Sequence, residues 1–349
     1  MRWKNSRGGQ GARRQVSDKA TVQAELLEGV ARSFAVTTAQ LPDPLRHLVG
    51  NVYLLCRIAD TIEDEPTLSA AQKRAFSAHF VEVVAGRRAA ASFASDLGPR
   101  LSAATTEGER TLVARTAEVV RITREFHAAQ RRLLERCVRL LSSGMMEFQE
   151  RATPDGLRDL ADLDRYCYHV AGVVGETLTE LFCEYSPRVA ARRADLFALA
   201  VSHSQGLQMI NILKDVWEDQ RRGVCWLPRD LLLAHGVDPR AMRAGEAGEG
   251  FVDALSELMA ITRRHLANGV RYVTTLPPSE TGIRRSCLWA LGLAVLTLRR
   301  IHRNPAFTCG DQVKVSRRGV RAVVVVTSVA ARSNFALKLL FRALTRGLP

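Results

Sequence analysis

Along most of this chain, apolar residues return at three- and four-residue spacing, the repeat of a helix with one buried face. The pattern predicts helices over 21–34, from Asp43 to about residue 64, within 69–98, over 160–182 and over 188–219. It predicts others at about 251–273, 279–302 and 328–346, and one or two within 108–150. Leu41-Pro42-Asp43-Pro44 reads as a break followed by a helix start, with Asp43 as the N-cap and Pro44 in the first turn. Ala89–Ser92 reads as a small-residue linker, and 236–250 as a glycine-rich loop without the G-x-G-x-x-G spacing of a nucleotide fingerprint. Val323–Val326 has strand composition but is short and isolated. All 12 prolines fall outside the interiors of the long predicted helices, or at their ends, as an all-α chain requires.

Two acidic clusters interrupt this apolar pattern: Asp60-Thr61-Ile62-Glu63-Asp64 and Asp215-Val216-Trp217-Glu218-Asp219, both D-x-x-E-D. On a helix, positions i, i+3 and i+4 project together, so each cluster crowds three carboxylates into apolar surroundings. A hard divalent cation such as Mg²⁺ relieves that crowding, using one or two carboxylates together with substrate phosphates. A solvated acidic face is the ordinary reading of a single cluster. Two clusters of one pattern favour a metal–diphosphate site with Asp60, Glu63, Asp64, Asp215, Glu218 and Asp219 as ligands. Each cluster extends along its helix. Tyr53, Arg57, Asp60 and Asp64 share one face, and Gln208, Asn211, Asp215 and Asp219 share another. Arg57 has the forked donors of a diphosphate clamp, or it pairs with Asp60 or Asp64. Lys214, Arg221 and Arg222 flank the second face and can neutralise a leaving diphosphate.

Composition narrows the partners. The 349 residues are 46% hydrophobic, enough for a large core, and carry a net charge of +14, which favours an anionic partner. Aromatics make up only 6% and do not interleave with the basic residues as on a single-strand nucleic-acid platform, so no nucleic-acid role is expected. Seven cysteines without C-x-x-C spacing indicate reduced thiols in a cytoplasmic protein rather than a disulfide frame or zinc site. No apolar run approaches the ~20 residues of a membrane span. Residues 1–20, basic and poor in apolar groups, are expected to be a disordered tail. Lys338, Arg342 and Arg346 lie along one side of an apolar terminal helix. Such a helix can rest peripherally on the inner face of an anionic membrane, or simply pack outside a core; both readings stay open.

The motifs resemble those of the squalene/phytoene synthases, the head-to-head prenyl-diphosphate synthases, and among them most closely the squalene synthases. The resemblance covers roughly residues 25–325. It rests on Arg32-Ser33-Phe34, Tyr53…Arg57…Asp60-x-x-Glu63-Asp64, Gly144-Met145…Glu147-Phe148, Tyr166-Cys167-x-x-Val170-Ala171-Gly172 and Gln208…Asn211…Lys214-Asp215-x-x-Glu218-Asp219. It implies a single all-α catalytic domain at 21–326 with a central apolar cavity and the two acidic motifs at its mouth, followed by a basic amphipathic helix at 327–349. It also implies two farnesyl diphosphates condensed on Mg²⁺ through presqualene diphosphate, then reduced by NADPH to squalene. Arg32, Ser33, Phe34, Gln208, Asn211, Lys214 and Arg222 would bind substrate, and Tyr53, Arg57 and Tyr166 would act in catalysis. Asn211, Lys314 and Arg317 would hold NADPH, because Val313–Gly319 resembles the basic segment that squalene synthases use for that cofactor. The alternatives are a non-reducing phytoene, dehydrosqualene or presqualene diphosphate synthase, and a non-catalytic helical assembly protein that kept the fold. Two departures stand out. Val224 occupies a position where many relatives carry Arg, with Arg221 or Arg222 as the substitute. The C-terminal anchor of eukaryotic squalene synthases is missing, which points to a bacterial-type soluble or peripheral enzyme.

Overall fold

The structure, a computed structural model, describes residues 22–31, 37–246 and 248–349. The expected basic tail at 1–20 and the expected substrate residues Arg32, Ser33 and Phe34 lie outside the described residues. Every regular element among the described residues is helical; the only extended pairing there is an isolated parallel bridge between Leu157 and Pro228. These residues form two compact units, one ending at Ser142 and one beginning at Ser143.

The first unit contains a helix at 22–30, then α1 (Asp43–Asp64), α2 (Ala70–Val84), α3 (Ala90–Leu97), α4 (Glu107–Ala114), α5 (Thr116–Glu125) and the first part of α6 (Ala128–Glu150). α1 is the expected helix, but Pro42 rather than Asp43 stands at its N-cap. Asp43 is instead a first-turn residue, paired with Arg46 at 2.6 Å, where a carboxylate favours the positive end of the helix dipole. α1 buries Leu48, Leu55, Ile58 and Ile62 against its neighbours and packs on α2, α4 and α5. The expected linker at Ala89–Ser92 is largely helix, with α3 beginning at Ala90. Alanine loses no side-chain entropy in a helix, and Phe93 and Leu97, one turn apart, give α3 a fully buried face on α2 and α5. The Phe93 ring lies 5.2 Å from that of Phe80. Capping boxes start two helices: Ser69 with Gln72 at α2, and Thr106 with Glu109 at α4.

In the second unit α9 (Arg193–Lys214) is the central helix. It packs on α8 (Val173–Tyr185), α12 (Glu249–Thr275) and α13 (Thr281–Arg303). The helix expected over 160–182 is divided: α7 (Leu160–Cys167) passes through a π-turn at Tyr168–Gly172 into α8. At Gly175, an added Cβ would strike Ser204 Oγ and come within 2.8 Å of the Ala200 carbonyl oxygen. The glycine therefore serves close approach of α8 to α9. The helix expected over 188–219 is also divided. Asp215, with φ −96° and ψ 9°, separates α9 from α10 (Val216–Arg221), although the hydrogen bonds Asp215 N to Asn211 O and Asp219 N to Asp215 O carry the ladder across. α11 (Arg229–Ala234) follows.

Val323–Val326 lies in a helix, α14 (Arg317–Ala330), because Val323, Thr327 and Ala330 at i, i+4 and i+7 bury one face. α15 (Asn334–Thr345) ends the fold; both helices pack on α13. The core of this unit includes Phe148, Trp217, Leu258, Leu298 and Phe307. None of the seven cysteines is in a disulfide, and four of them, Cys137, Cys167, Cys183 and Cys225, are buried. No described helix is long and apolar enough to cross a membrane.

Candidate functional site

In the first unit the α1 face carries Tyr53, Arg57 and Asp60, all half-buried, and Asp64, which is exposed. The third carboxylate of the motif is separated from this face: Glu63 is buried, and its backbone carbonyl accepts a hydrogen bond from Lys73 Nζ. Helical register explains the split, because Glu63 lies well around the helix from Arg57, while Asp60 and Asp64 stay in register with it. Arg57 donates to Glu109 and stands 3.5 Å from Asp60; its Nε is buried without a hydrogen-bond partner. Glu109 is the capping-box residue of α4, so its Oε2 accepts from Thr106 N and Oγ1 while its Oε1 faces Arg57. Burial pushes the Glu109 carboxyl up, but the Thr106 hydrogen bonds and the Arg57 charge outweigh it and leave it ionised below the usual range. Burial pushes Asp60 up to about 7; Arg57 opposes the change and Asp64 reinforces it. The protein thus leaves this carboxylate short of positive charge. Tyr53 donates to the Val30 carbonyl at 3.2 Å, and burial raises its phenol.

Two residues at this site escaped sequence reasoning. Glu109 has only a helix-start signature in the sequence, since T-x-x-E announces a capping box and says nothing of the arginine its second oxygen meets. Glu65, next to the motif, is 1% exposed and ends α1. Its Oε1 accepts from Thr67 N (3.1 Å) and Thr67 Oγ1 (2.7 Å), and its Oε2 from Ser102 N (2.8 Å) and Thr105 Oγ1 (2.7 Å). It is a structural carboxylate that ties down the end of the helix bearing the motif.

In the second unit, Gln208 is half-buried and Asn211 exposed on α9, and the motif follows at the helix break. Each carboxylate has a nearby cation: Asp215 with Lys214 (3.1 Å), Glu218 with Arg221 (3.3 Å) and Asp219 with Arg222 (2.5 Å). Asp219 is buried, whereas Asp215 and Glu218 are half-exposed. Glu218 Oε1 accepts from Gly310 N at 2.9 Å, while its Oε2 is buried with no partner. Burial raises the Asp215 carboxyl, Lys214 works against the rise and Glu218 adds to it.

Gly310 had no signal in the sequence. An added Cβ would lie 3.1 Å from Asp215 Oδ1 and 3.2 Å from the Lys214 carbonyl, so glycine eases the close approach of the short helical turn Gly310–Val313 to the motif, where a larger residue would push its neighbours by a few tenths of an ångström. Lys314 follows that turn; it is exposed and pairs with Asp311 at 3.3 Å. Arg317 opens α14, where Ser316 is the N-cap. Val224 packs against the core, and the two arginines beside it, Arg221 and Arg222, are those paired with the motif.

Tyr166 is buried, stacked on Trp226 with ring centroids 4.4 Å apart and planes at 7°, and edge-on to Phe148 at 5.2 Å. Among the described residues, no three His, Cys, Asp or Glu side chains form a ready-made metal cage.

Residues 27–319 match the family model described as squalene/phytoene synthase. Among curated proteins the chain is similar to squalene synthase BSS of Botryococcus braunii (28% identical, covering 87% of this chain and 63% of the relative). It is similar as well to squalene synthase of Schizosaccharomyces pombe (26%; 87% and 64%) and squalene synthase 1 of Arabidopsis thaliana (27%; 86% and 69%). It thus spans just under two thirds of the length of the first two. Its fold is similar to that of TcSQS in complex with the ligand E5700 (TM-score 0.75, 22% identity, 94% of this chain and 90% of that one). It is also similar to a dehydrosqualene synthase in complex with a ligand (TM-score 0.68, 17%, 92% and 99%). With a family match over this span and the all-α fold of these structures, the chain belongs to the squalene/phytoene synthase family.

Proposed function

We propose that the protein is a Mg²⁺-dependent head-to-head prenyltransferase of the squalene synthase type, joining two farnesyl diphosphates through presqualene diphosphate and reducing the product to squalene with NADPH. The observation that carries this reading is that in both D-x-x-E-D motifs burial of a carboxylate outweighs the cation beside it, Arg57 at Asp60 and Lys214 at Asp215. Asp60 is raised to about 7 and Asp215 is raised as well, chiefly by burial, and Glu218 Oε2 is buried without a donor. Oxygen donors in that condition suit a hard cation, and Mg²⁺ held by one or two carboxylates plus diphosphate oxygens needs no three-residue cage.

At the first motif Asp60 and Asp64 would hold a metal, with the buried Glu63 in a supporting position, and at the second motif Asp215 and Glu218 would do so, with Asp219 supporting. Bound Mg²⁺ supplies charge neutralisation for the diphosphate as it departs. The rest of the proposed chemistry belongs to the chain. Arg57, fixed by Glu109, offers its remaining donors to a diphosphate oxygen, and Lys214 and Arg222 add positive charge beside the second motif. Departure of the first diphosphate would generate an allylic cation, which the double bond of the second farnesyl unit attacks; loss of a proton closes the cyclopropane of presqualene diphosphate, and departure of the second diphosphate gives the cation that takes up hydride. Aromatic faces such as Tyr166 stacked on Trp226 suit stabilisation of a carbocation and exclude water that would trap it. Gln208 and Asn211 suit hydrogen bonds to the diphosphate or its waters. For the reductive step, NADPH supplies the hydride. Lys314, Arg317 and the first-turn N–H groups of α14 form a positive helix end suited to a cofactor phosphate.

The test is product analysis with farnesyl diphosphate and Mg²⁺, with and without NADPH. Squalene formed only with NADPH supports the reading. Product only from geranylgeranyl diphosphate, or no prenyl product under any condition, overturns it; presqualene diphosphate alone with NADPH present overturns the reductive half.

A further inference from the structure

We propose that the outer face of α14 and α15 is a docking surface for an anionic lipid membrane. Seven large hydrophobic side chains stand exposed among the described residues, and five of them lie on these two helices. Val325, Val326 and Val329 on α14 are 62%, 45% and 80% exposed, and Phe335 and Leu339 on α15 are 77% and 57% exposed. These are not the residues that hold the helices in place, since Val323, Thr327 and Ala330 of α14 and Leu337 of α15 point inward and are buried. α14 is therefore apolar on both sides. A surface helix needs one apolar face; a helix with two has two apolar neighbours, and the protein supplies one of them.

Charge identifies the other. Beyond Asp311 the sequence has no Asp or Glu and eight Lys or Arg. Arg321, Arg332, Lys338 and Arg342 are exposed around the apolar side chains. On α15 Phe335, Leu339 and Arg342 follow one another at i, i+4 and i+7, so basic and apolar groups share one face. Aliphatic and aromatic groups flanked by cations match a lipid surface, where the apolar groups enter the acyl boundary and the cations meet anionic headgroups. A second copy of the chain fits poorly, because a symmetric pairing would set these cations against their own duplicates with no carboxylate in the segment to answer them. The inference rests on exposure and charge and is independent of the reaction catalysed.

The full-length protein is mixed with sucrose-loaded vesicles of phosphatidylcholine alone, or with one third phosphatidylglycerol, at low salt and at high salt, and sedimented. Binding to the anionic vesicles is expected, weakened by salt, and lower by about 10-fold or more on the neutral ones. The double variant V329S/F335S, altered only at exposed positions, is expected to lose about 10-fold in affinity for anionic vesicles while keeping the parent's circular dichroism. In Phe335→Trp, the added fluorescence relative to the parent is expected to be quenched by lipids brominated along the acyl chain. Three results overturn the proposal. V329S/F335S binding like the parent would place the attraction elsewhere in this basic chain. An unquenched Phe335→Trp on bound protein would show that the face does not enter lipid. Self-association abolished by V329S/F335S, with no vesicle binding by the parent, would assign the face to a second copy.

Discussion

Replacing Glu65 by Gln removes a single charge and no volume, yet the geometry predicts a large loss of stability. Four donors converge on this buried carboxylate, two on each oxygen: Thr67 N and Oγ1 on one, Ser102 N and Thr105 Oγ1 on the other. An amide has one acceptor oxygen, so whichever way it turns, its NH₂ meets a backbone N–H, either that of Thr67 or that of Ser102. A hydroxyl can rotate to accept; a backbone N–H cannot. One part-buried backbone donor loses its acceptor and the charge-assisted character of the remaining bonds is lost, together about 2–4 kcal/mol. Burial raises the Glu65 carboxyl, but the hydrogen bonds from Thr105, Ser102 and Thr67 outweigh it and bring it down to about 2 from 4.5. Because the folded value lies below the unfolded one, this stabilisation is fully present above about 4.5 and is lost as pH falls toward about 2. Chemical denaturation followed by circular dichroism should show Glu65→Gln less stable than the parent at pH 7, with the gap narrowing between pH 5 and pH 2. Hydrogen exchange should speed up at the Thr67 or Ser102 amide. Equal denaturation midpoints at pH 7, or a gap unchanged at pH 2, would show that the Glu65 carboxylate does not stabilise the fold in this way.

Further outcomes follow from other residues. Glu109→Gln can keep the capping box, since Gln caps as well as Glu, but turns an NH₂ toward Arg57; the melting temperature should move little while KM for farnesyl diphosphate rises about 10-fold. An unchanged KM would remove Glu109 as a positioning residue. Asp60 has its folded value raised to about 7 against 3.8, so its charge costs stability as pH rises through that interval. In metal-free protein at pH 8, Asp60→Asn should melt at or above the parent temperature, and added Mg²⁺ should raise the melting temperature of the parent more than that of the variant; the reverse order would contradict the metal assignment. Burial lowers His203 to about 4 and its ring stacks on Tyr272 at 5.1 Å, so it stays neutral in the fold. Its contribution is present above 6.5 and lost as pH falls toward about 4; His203→Phe should flatten the pH dependence of the melting temperature in that window. Gly175→Ala forces a methyl against the Ala200 carbonyl and should cost about 1–3 kcal/mol by denaturation.

The all-α architecture was legible in the sequence because helical periodicity and proline placement are local properties, and most long helices lie close to their expected positions. The two D-x-x-E-D motifs were legible as well, since like charges in apolar runs stand out without any knowledge of the fold. Helix interruptions were not. The π-turn at Tyr168–Gly172 and the break at Asp215 occur in stretches whose apolar pattern runs on unbroken. Asp43 has the composition of an N-cap, yet Pro42 stands there, because cap position follows backbone torsions that composition does not reveal.

At the two motifs, residue type and helical register, both readable in the sequence, set which side chains each helix face presents. Tertiary structure alone decided their condition. Glu63 is buried, Asp60 half-buried and Asp64 exposed, Arg57 is held by a glutamate 52 residues away, and Glu218 meets the amide of Gly310, 92 residues on. Burial and long-range partners determine charge state and orientation, and both depend on which distant segments fold together. The same holds for Val325, Val329 and Phe335. In the sequence Val329 and Phe335 read as apolar helix positions and Val325 as part of a short strand-like run; only the packed fold shows that all three face outward, because exposure belongs to the assembled surface and not to the chain.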